Sequence, residues 1–323
     1  MYKAFYNLKR NPFEITPDPS FLFATKKHNE ALAALYYGVK RRKGFVVLTG
    51  EVGTGKTLLV RCLLQVLTRA NIAFAYVFNP RLTPMEFLQY VVADFGLATA
   101  GKTKSDLLLG LAGFVIDRSQ KNRTTVLVVD EAHQMSTDVL EEVRLLTNLE
   151  SPQEKLLQIL LIGQPELDEK LDCDSLRQLK QRIAFRSQLS PLELDETAGY
   201  IYRRLQLAGN AQPNTIFPMD TVLEVHRHSR GFPRLINTLC ENGLICAYAK
   251  QSRAVTPDVI EEIAQEFRLN IVHRTSSEGK EHAAGVQPAT RSLLDLSAQM
   301  RKAQPERKDV ATFVRTGKHE PYI

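Results

Sequence analysis

The string Gly50-Glu51-Val52-Gly53-Thr54-Gly55-Lys56-Thr57 constrains this chain more than any other feature. It fits G-x-x-x-x-G-K-[ST] in full, the pattern of a P-loop. The apolar run Phe45-Val46-Val47-Leu48 precedes it, and an apolar helical pattern over 58–67, opening at Leu58, follows it. Strand, glycine-rich turn and helix start, in that order, turn backbone N–H groups inward and place the positive end of the helix beside them. Such a turn cradles phosphate oxygens. Lys56 is then expected to reach β- and γ-phosphates, and Thr57 to hold Mg²⁺ through its hydroxyl, so the expected ligands are ATP and Mg²⁺. From average composition, a chance match somewhere in 323 residues is on the order of one per cent.

The rest of the chain supplies a sheet for this loop. From 45 to about 192, apolar runs alternate with helical patterns. The runs are 45–48, 73–78, 126–129 and 158–162, with a weaker one over 183–189. Near-continuous apolar runs separated by helices predict an α/β fold with a buried parallel sheet covered on both faces. A helix is expected before it, over about 27–43, ending in Lys40-Arg41-Arg42-Lys43-Gly44. Cations there suit the helix dipole, and the glycine suits a stop. From 193 to about 269 the strands cease and helical patterns cover 195–208, 218–229, 233–250 and 257–268. The expected domains are therefore 1–192, a nucleotide-binding core with its N-terminal segment, and 193–270, a small all-α domain. A polar stretch over 271–323 is expected to be mostly disordered, with one or two amphipathic turns around Leu293, Leu294, Leu296 and Met300.

Further residues carry chemistry. In Thr124-Thr125-Val126-Leu127-Val128-Val129-Asp130-Glu131-Ala132-His133 a buried strand ends in two carboxylates. Burying a carboxylate is costly unless it meets a cation or water. Asp130 meets that need by holding water on Mg²⁺, and Glu131 is placed to polarise an attacking water. The same Asp-Glu-Ala-His string occurs in a helicase class, but no second helicase core follows here. Gln164, in Ile162-Gly163-Gln164-Pro165-Glu166-Leu167, ends the fourth run and is a candidate to sense a γ-phosphate or to orient the attacking water. Arg177, Arg182 and Arg186 cluster downstream. An arginine supplied to a phosphoryl transfer is worth about 10³–10⁵ in rate, and Arg182 is the first choice, Arg186 the second. Arg234, in Gly231-Phe232-Pro233-Arg234-Leu235-Ile236-Asn237, opens a helix with proline at its start.

Composition excludes several classes. Hydrophobic residues make up 44% and charged residues 24%, ordinary for a globular protein. No apolar run approaches the roughly 18–20 residues of a membrane span. Met1-Tyr2-Lys3-Ala4-Phe5 shows no apolar signal-peptide core, so a cytoplasmic chain is expected. The four cysteines form no CxxC pair and read as free thiols. A net charge of +6 permits contact with nucleic acid or anionic lipid without requiring it.

Together, the P-loop, the Asp130-Glu131 strand end, the Gly163-Gln164-Pro165-Glu166-Leu167 turn and the Gly231–Asn237 string resemble the AAA+ ATPases of the general secretion pathway protein A (ExeA) group. The opening is similar too: Phe5-Tyr6-Asn7-Leu8, Asn11-Pro12-Phe13, Pro17-Asp18-Pro19, then His28, Glu30-Ala31-Leu32 and Tyr37-Gly38. So is Leu194-Asp195-Glu196-Thr197 through Tyr200-Ile201 to Arg204-Leu205. The resemblance covers about 1–270. It implies a five-stranded parallel sheet of order 5-1-4-3-2, a helical lid, ATP bound between subunits and nucleotide-dependent homo-oligomers. It puts Gln164 in the sensor 1 place, Arg182 in the arginine-finger place, Arg234 in the sensor 2 place and His28 near the adenine side. In that group a membrane span and a periplasmic peptidoglycan-binding domain follow the ATPase; neither is expected here.

Two functions follow. The first is an ATPase that drives or switches an envelope-associated assembly, such as secretion, pilus or exopolysaccharide export machinery, with an inner-membrane or envelope-complex protein as partner and recruitment to the inner-membrane face. The alternative is a DNA-binding regulator of the TnsC/TniB transposition type, which engages duplex DNA. A nucleotide-dependent scaffold without turnover is disfavoured by the intact Lys56, Asp130 and Glu131.

Overall fold

Each apolar run of the sequence becomes a parallel strand. The computed structural model describes residues 1–269. The expected features of 271–323 lie outside them. In chain order the elements are α1 (Lys26–Lys40), β1 (Phe45–Gly50), α2 (Lys56–Arg69), β2 (Ala73–Val77), α3 (Pro84–Asp94), α4 (Lys104–Gln120), β3 (Thr125–Val129), α5 (Thr137–Leu146), β4 (Leu157–Gly163), α6 (Glu166–Asp172), α7 (Arg177–Lys180) and β5 (Ile183–Leu189). Then come α8 (Leu194–Ala208), α9 (Pro213–Ile216), α10 (Met219–Ser229), α11 (Pro233–Ala249) and α12 (Pro257–Glu266).

The strands form one five-stranded sheet of order β2-β3-β4-β1-β5. All pairs are parallel, with Phe45 opposite Ile159, Thr125 opposite Leu157 and Ala73 opposite Thr125. This is the expected order, read from the other edge. Strands β1, β3 and β4 are buried along their whole length, whereas edge strand β5 alternates. Side chains alternate between two cores, as the pleat requires. Phe45, Val47, Leu127, Val129, Ile159 and Leu161 face the side covered by α3, α4 and α5. Val46, Leu48, Val126, Val128, Leu160 and Ile162 face α1 and α2. Between those layers the sheet has no wet face, which is why its central strands read as continuous apolar runs.

A third core lies within α8–α12. The N-terminal segment, which the sequence groups with the sheet, contributes Tyr2, Tyr6, Leu8 and Phe13 to this helical cluster. Lys9 N–H donates to Ala208 O at 2.7 Å, and the Tyr2 hydroxyl donates to Glu241 at 2.8 Å. The one-turn helix α9 was not legible in the sequence; it is a proline-started turn of four residues, too short for periodicity to show. No helix among the described residues is long and apolar enough to cross a membrane.

Candidate functional site

Strand order builds the site. The glycine-rich loop leaves β1, Asp130 and Glu131 leave β3, and β4 runs between those two strands. Gln164, one residue past β4, therefore emerges between the loop and the two carboxylates. The C-terminal edge of a parallel sheet is where such folds bind ligands.

The loop needs its glycines. Gly53 has φ 82° and Gly55 φ 97°, left-handed conformations that cost a side chain dearly. A Cβ on Gly53 would also sit 3.0 Å from Arg234 Cβ. Thr54 Oγ1 donates to Glu51 O at 2.8 Å and closes the turn. Beneath it lies His28, only 6% exposed. Its Nε2 donates to Thr54 O at 3.2 Å, so Nδ1 is the acceptor for the Thr25 hydroxyl at 2.8 Å. Burial lowers the His28 pKa, which keeps this neutral tautomer. His28 thus braces the loop's backbone. Val52, Gly53, Gly55, Lys56, Thr57 and Leu58 line the cleft, while Gly50, Glu51 and Thr54 frame it from behind.

Gly55 brings no capping side chain to α2, so the first-turn N–H groups of that helix are left for a ligand. Lys56 is 5% exposed, and its Nζ donates to Gly50 O at 2.6 Å and Glu51 O at 2.9 Å. Burial lowers its pKa; Glu131 and Asp130 oppose that shift. Thr57 Oγ1 donates to Asp130 Oδ2 at 3.2 Å. The Tyr76 hydroxyl donates to the same oxygen at 3.1 Å, and Glu131 N–H donates to Asp130 Oδ1 at 2.9 Å. Despite these donors, burial raises the Asp130 pKa. A carboxylate so placed gains most from a nearby cation. The Thr57 hydroxyl and the Asp130 carboxylate present the oxygen pair that a hard divalent cation takes, directly or through water.

Glu131 sits at φ 53°, a left-handed conformation unusual for glutamate. Its carboxylate lines the cleft with Gln164. Between these two stands His133, with Nδ1 3.5 Å from Glu131 Oε2 and Nε2 2.8 Å from Gln164 Nε2. Arg234 closes the other wall, its N–H 3.4 Å from Gly53 O. None of Arg177, Arg182 and Arg186 lines this cleft. Arg186 is paired with Asp168 at 3.3 Å and lies 3.8 Å from Asp172. Arg182 instead meets neutral acceptors at the end of α5: Thr147 Oγ1, Asn148 Oδ1 at 2.6 Å and Arg144 O at 3.4 Å.

Sequence reasoning missed Tyr76 and gave His133 no part. Tyr76 lies opposite Val128 in the β2–β3 register, just below Asp130, which only the strand order reveals. It also missed Tyr200, Arg204 and Asn237, which reach the cleft from α8 and α11.

Fold and loop together define an AAA domain protein: residues 39–171 match the family described as AAA domain. More particularly, the chain is similar to general secretion pathway protein A of Aeromonas hydrophila, with 43% identity over 267 residues. That match takes in 82% of this chain and 48% of the relative, so the chain spans about half the relative's length. Solved structures share the fold at low identity. The Aeropyrum pernix ORC2 protein in its ADPNP–ADP complexes superposes with TM-score 0.58 and 17% identity, over 80% of this chain and 72% of that one. Drosophila ORC bound to DNA gives 0.58 and 20%, over 80% and 64%. The Thermotoga maritima RuvB Holliday junction branch migration motor gives 0.51 and 15%, over 75% and 69%. An AAA domain implies nucleotide binding.

Proposed function

We propose that this chain is an ATPase that hydrolyses ATP at the interface between its own copies and so drives or switches an envelope-associated secretion assembly. One observation carries the hydrolytic part: Lys56, the Thr57–Asp130 pair at 3.2 Å, Glu131 and Gln164 converge at one sheet edge. In this reading the loop N–H groups and Lys56 hold the phosphates. Thr57 and Asp130 hold Mg²⁺, which neutralises charge on the transferred phosphoryl group. Glu131 takes a proton from the attacking water, Gln164 senses the γ-phosphate, and Arg234 reaches the nucleotide from the helical region. Arg182 serves the neighbouring copy's site. Its hydrogen bonds go to neutral acceptors, with Glu141 and Glu150 near enough to feel its charge but forming no ion pair with it, unlike Arg186, which is already paired. Likeness to general secretion pathway protein A supports the envelope part, with an inner-membrane or envelope-complex protein as partner.

Steady-state ATP hydrolysis over a protein-concentration series tests the reading. A rate rising more than linearly with protein, indifferent to duplex DNA, is expected. A second reading, a DNA-binding regulator, draws on one feature. Lys40, Arg41, Lys43 and Arg123 are exposed where β1 and β3 begin, and no described residue offers them an ion pair. Strong stimulation by duplex at low salt, lost as salt rises, would favour it.

A further inference from the structure

His133 is only 13% exposed, and three contacts fix its ring. Nε2 lies 2.8 Å from the Gln164 amide nitrogen. Nδ1 lies 3.4 Å from the Gln164 backbone N–H and 3.5 Å from Glu131 Oε2. The segment carrying the ring is itself held, because Lys170 of α6 donates to His133 O and, at 3.0 Å, to Met135 O. One ring therefore touches both the side chain assigned to sense the γ-phosphate and the carboxylate assigned to activate water.

We infer that His133 is a positioning residue that couples Gln164 to Glu131 through its tautomer. The inference rests on the ATPase reading of this site. Imidazole chemistry makes the coupling specific, because in a neutral ring one nitrogen donates and the other accepts. When the Gln164 NH₂ group donates to Nε2, the ring proton is on Nδ1, which gives up the long 3.4 Å bond from the Gln164 backbone N–H and faces Glu131 Oε2 at 3.5 Å. The carboxylate then has a donor turned toward it and is a poorer base. When Gln164 turns its NH₂ group to a phosphate oxygen, its carbonyl oxygen faces the ring. The ring proton is then on Nε2, and Nδ1 accepts from the Gln164 backbone N–H. Glu131 loses its donor and is free to take a proton from water. The ring gives one proton to solvent at Nδ1 and gains one at Nε2, so its charge does not change. Burial lowers the His133 pKa; Glu131 and Glu166 oppose that shift, and Lys56 and Lys170 add to it. A neutral ring is what a tautomeric coupling requires.

Two measurements test this on the full chain. The first reads the ring directly, from ¹⁵N shifts of labelled histidines, with the His133 signal assigned by its loss in His133→Gln. The proton is expected on Nδ1 with ADP and on Nε2 with a non-hydrolysable ATP analogue. The same tautomer in both states overturns the inference. The second is a double-mutant cycle on turnover. Gln164→Ala and His133→Phe should each lower kcat about tenfold or more, the range of a weakened general base, with KM within about threefold. Together they should cost no more than the worse of the two, because both break one link. Multiplying factors, or a His133→Phe enzyme with wild-type kcat, would also overturn it. Should His133→Phe not fold, His133→Asn takes its place in the cycle. Absence of turnover in the wild-type chain would count against the ATPase reading alone, since the tautomer measurement needs no hydrolysis.

Discussion

Lys56 and Glu131 are the single residues whose loss should separate nucleotide binding from turnover most sharply. Lys56→Ala removes the buried cation of the loop and should abolish nucleotide binding, read by titration with a fluorescent nucleotide. Glu131→Gln keeps the shape and removes the base. It should bind ATP as wild type does and lose about 10²–10⁴ in turnover. Asp130 gives a prediction of opposite signs. Burial raises its carboxyl pKa, so the folded chain binds that proton more tightly than the unfolded chain. Stability is then lost as pH rises from the unfolded pKa through the folded one, and at neutral pH the ionised carboxylate is a net cost. Asp130→Asn should therefore raise the melting temperature in chelator while abolishing Mg²⁺-dependent turnover; a lowered melting temperature would contradict this. Much of this residue-scale site is legible in the sequence, because Gly50–Thr57 and Asp130-Glu131 are contiguous strings with their own chemistry. Tyr76 and His133 are not, because their parts depend on which strands are neighbours and which side chain stands beside the next.

At the scale of elements, the join between sheet and helical region is the most constrained point. Gly231 has φ 76°, and a Cβ there would lie 2.0 Å from Leu192 O. Leu192 N–H also donates to Gly231 O at 2.8 Å, so neither backbone can yield easily. Gly231→Ala should cost about 2 kcal/mol or more in denaturant unfolding, through both strain and collision. Helix α4 offers a milder test. Thr103 and Asp106 form a reciprocal capping box at its start. Thr103→Ala should cost about 1 kcal/mol without touching nucleotide affinity. The long elements were readable from periodicity, since α8, α10 and α11 begin and end within a residue or so of the sequence expectation. The first helix ends earlier than expected, at Lys40, because Arg41 to Lys43 form the turn into β1.

At the scale of the whole chain, the N-terminal segment is the surprise. Its aromatic residues are buried with α8–α12, and Thr16, Pro17 and Asp18 line the cleft beside the loop. Sequence patterning cannot show this, because a segment without regular structure carries no period to read. Under the proposed function, at a larger scale still, one copy's Arg182 completes the site in which another copy's Glu131 acts. Its position, outside its own cleft and without an ion pair to any described residue, is what an arginine supplied to a neighbour requires. The most direct measurement is ATP turnover by Arg182→Ala, by Glu131→Gln and by their equimolar mixture, at one total protein concentration. Each variant alone should be nearly inactive, and the mixture should regain a substantial fraction of wild-type turnover, because an Arg182→Ala copy keeps its own Glu131 and takes the arginine from its neighbour. A mixture no more active than the separate variants would contradict the account.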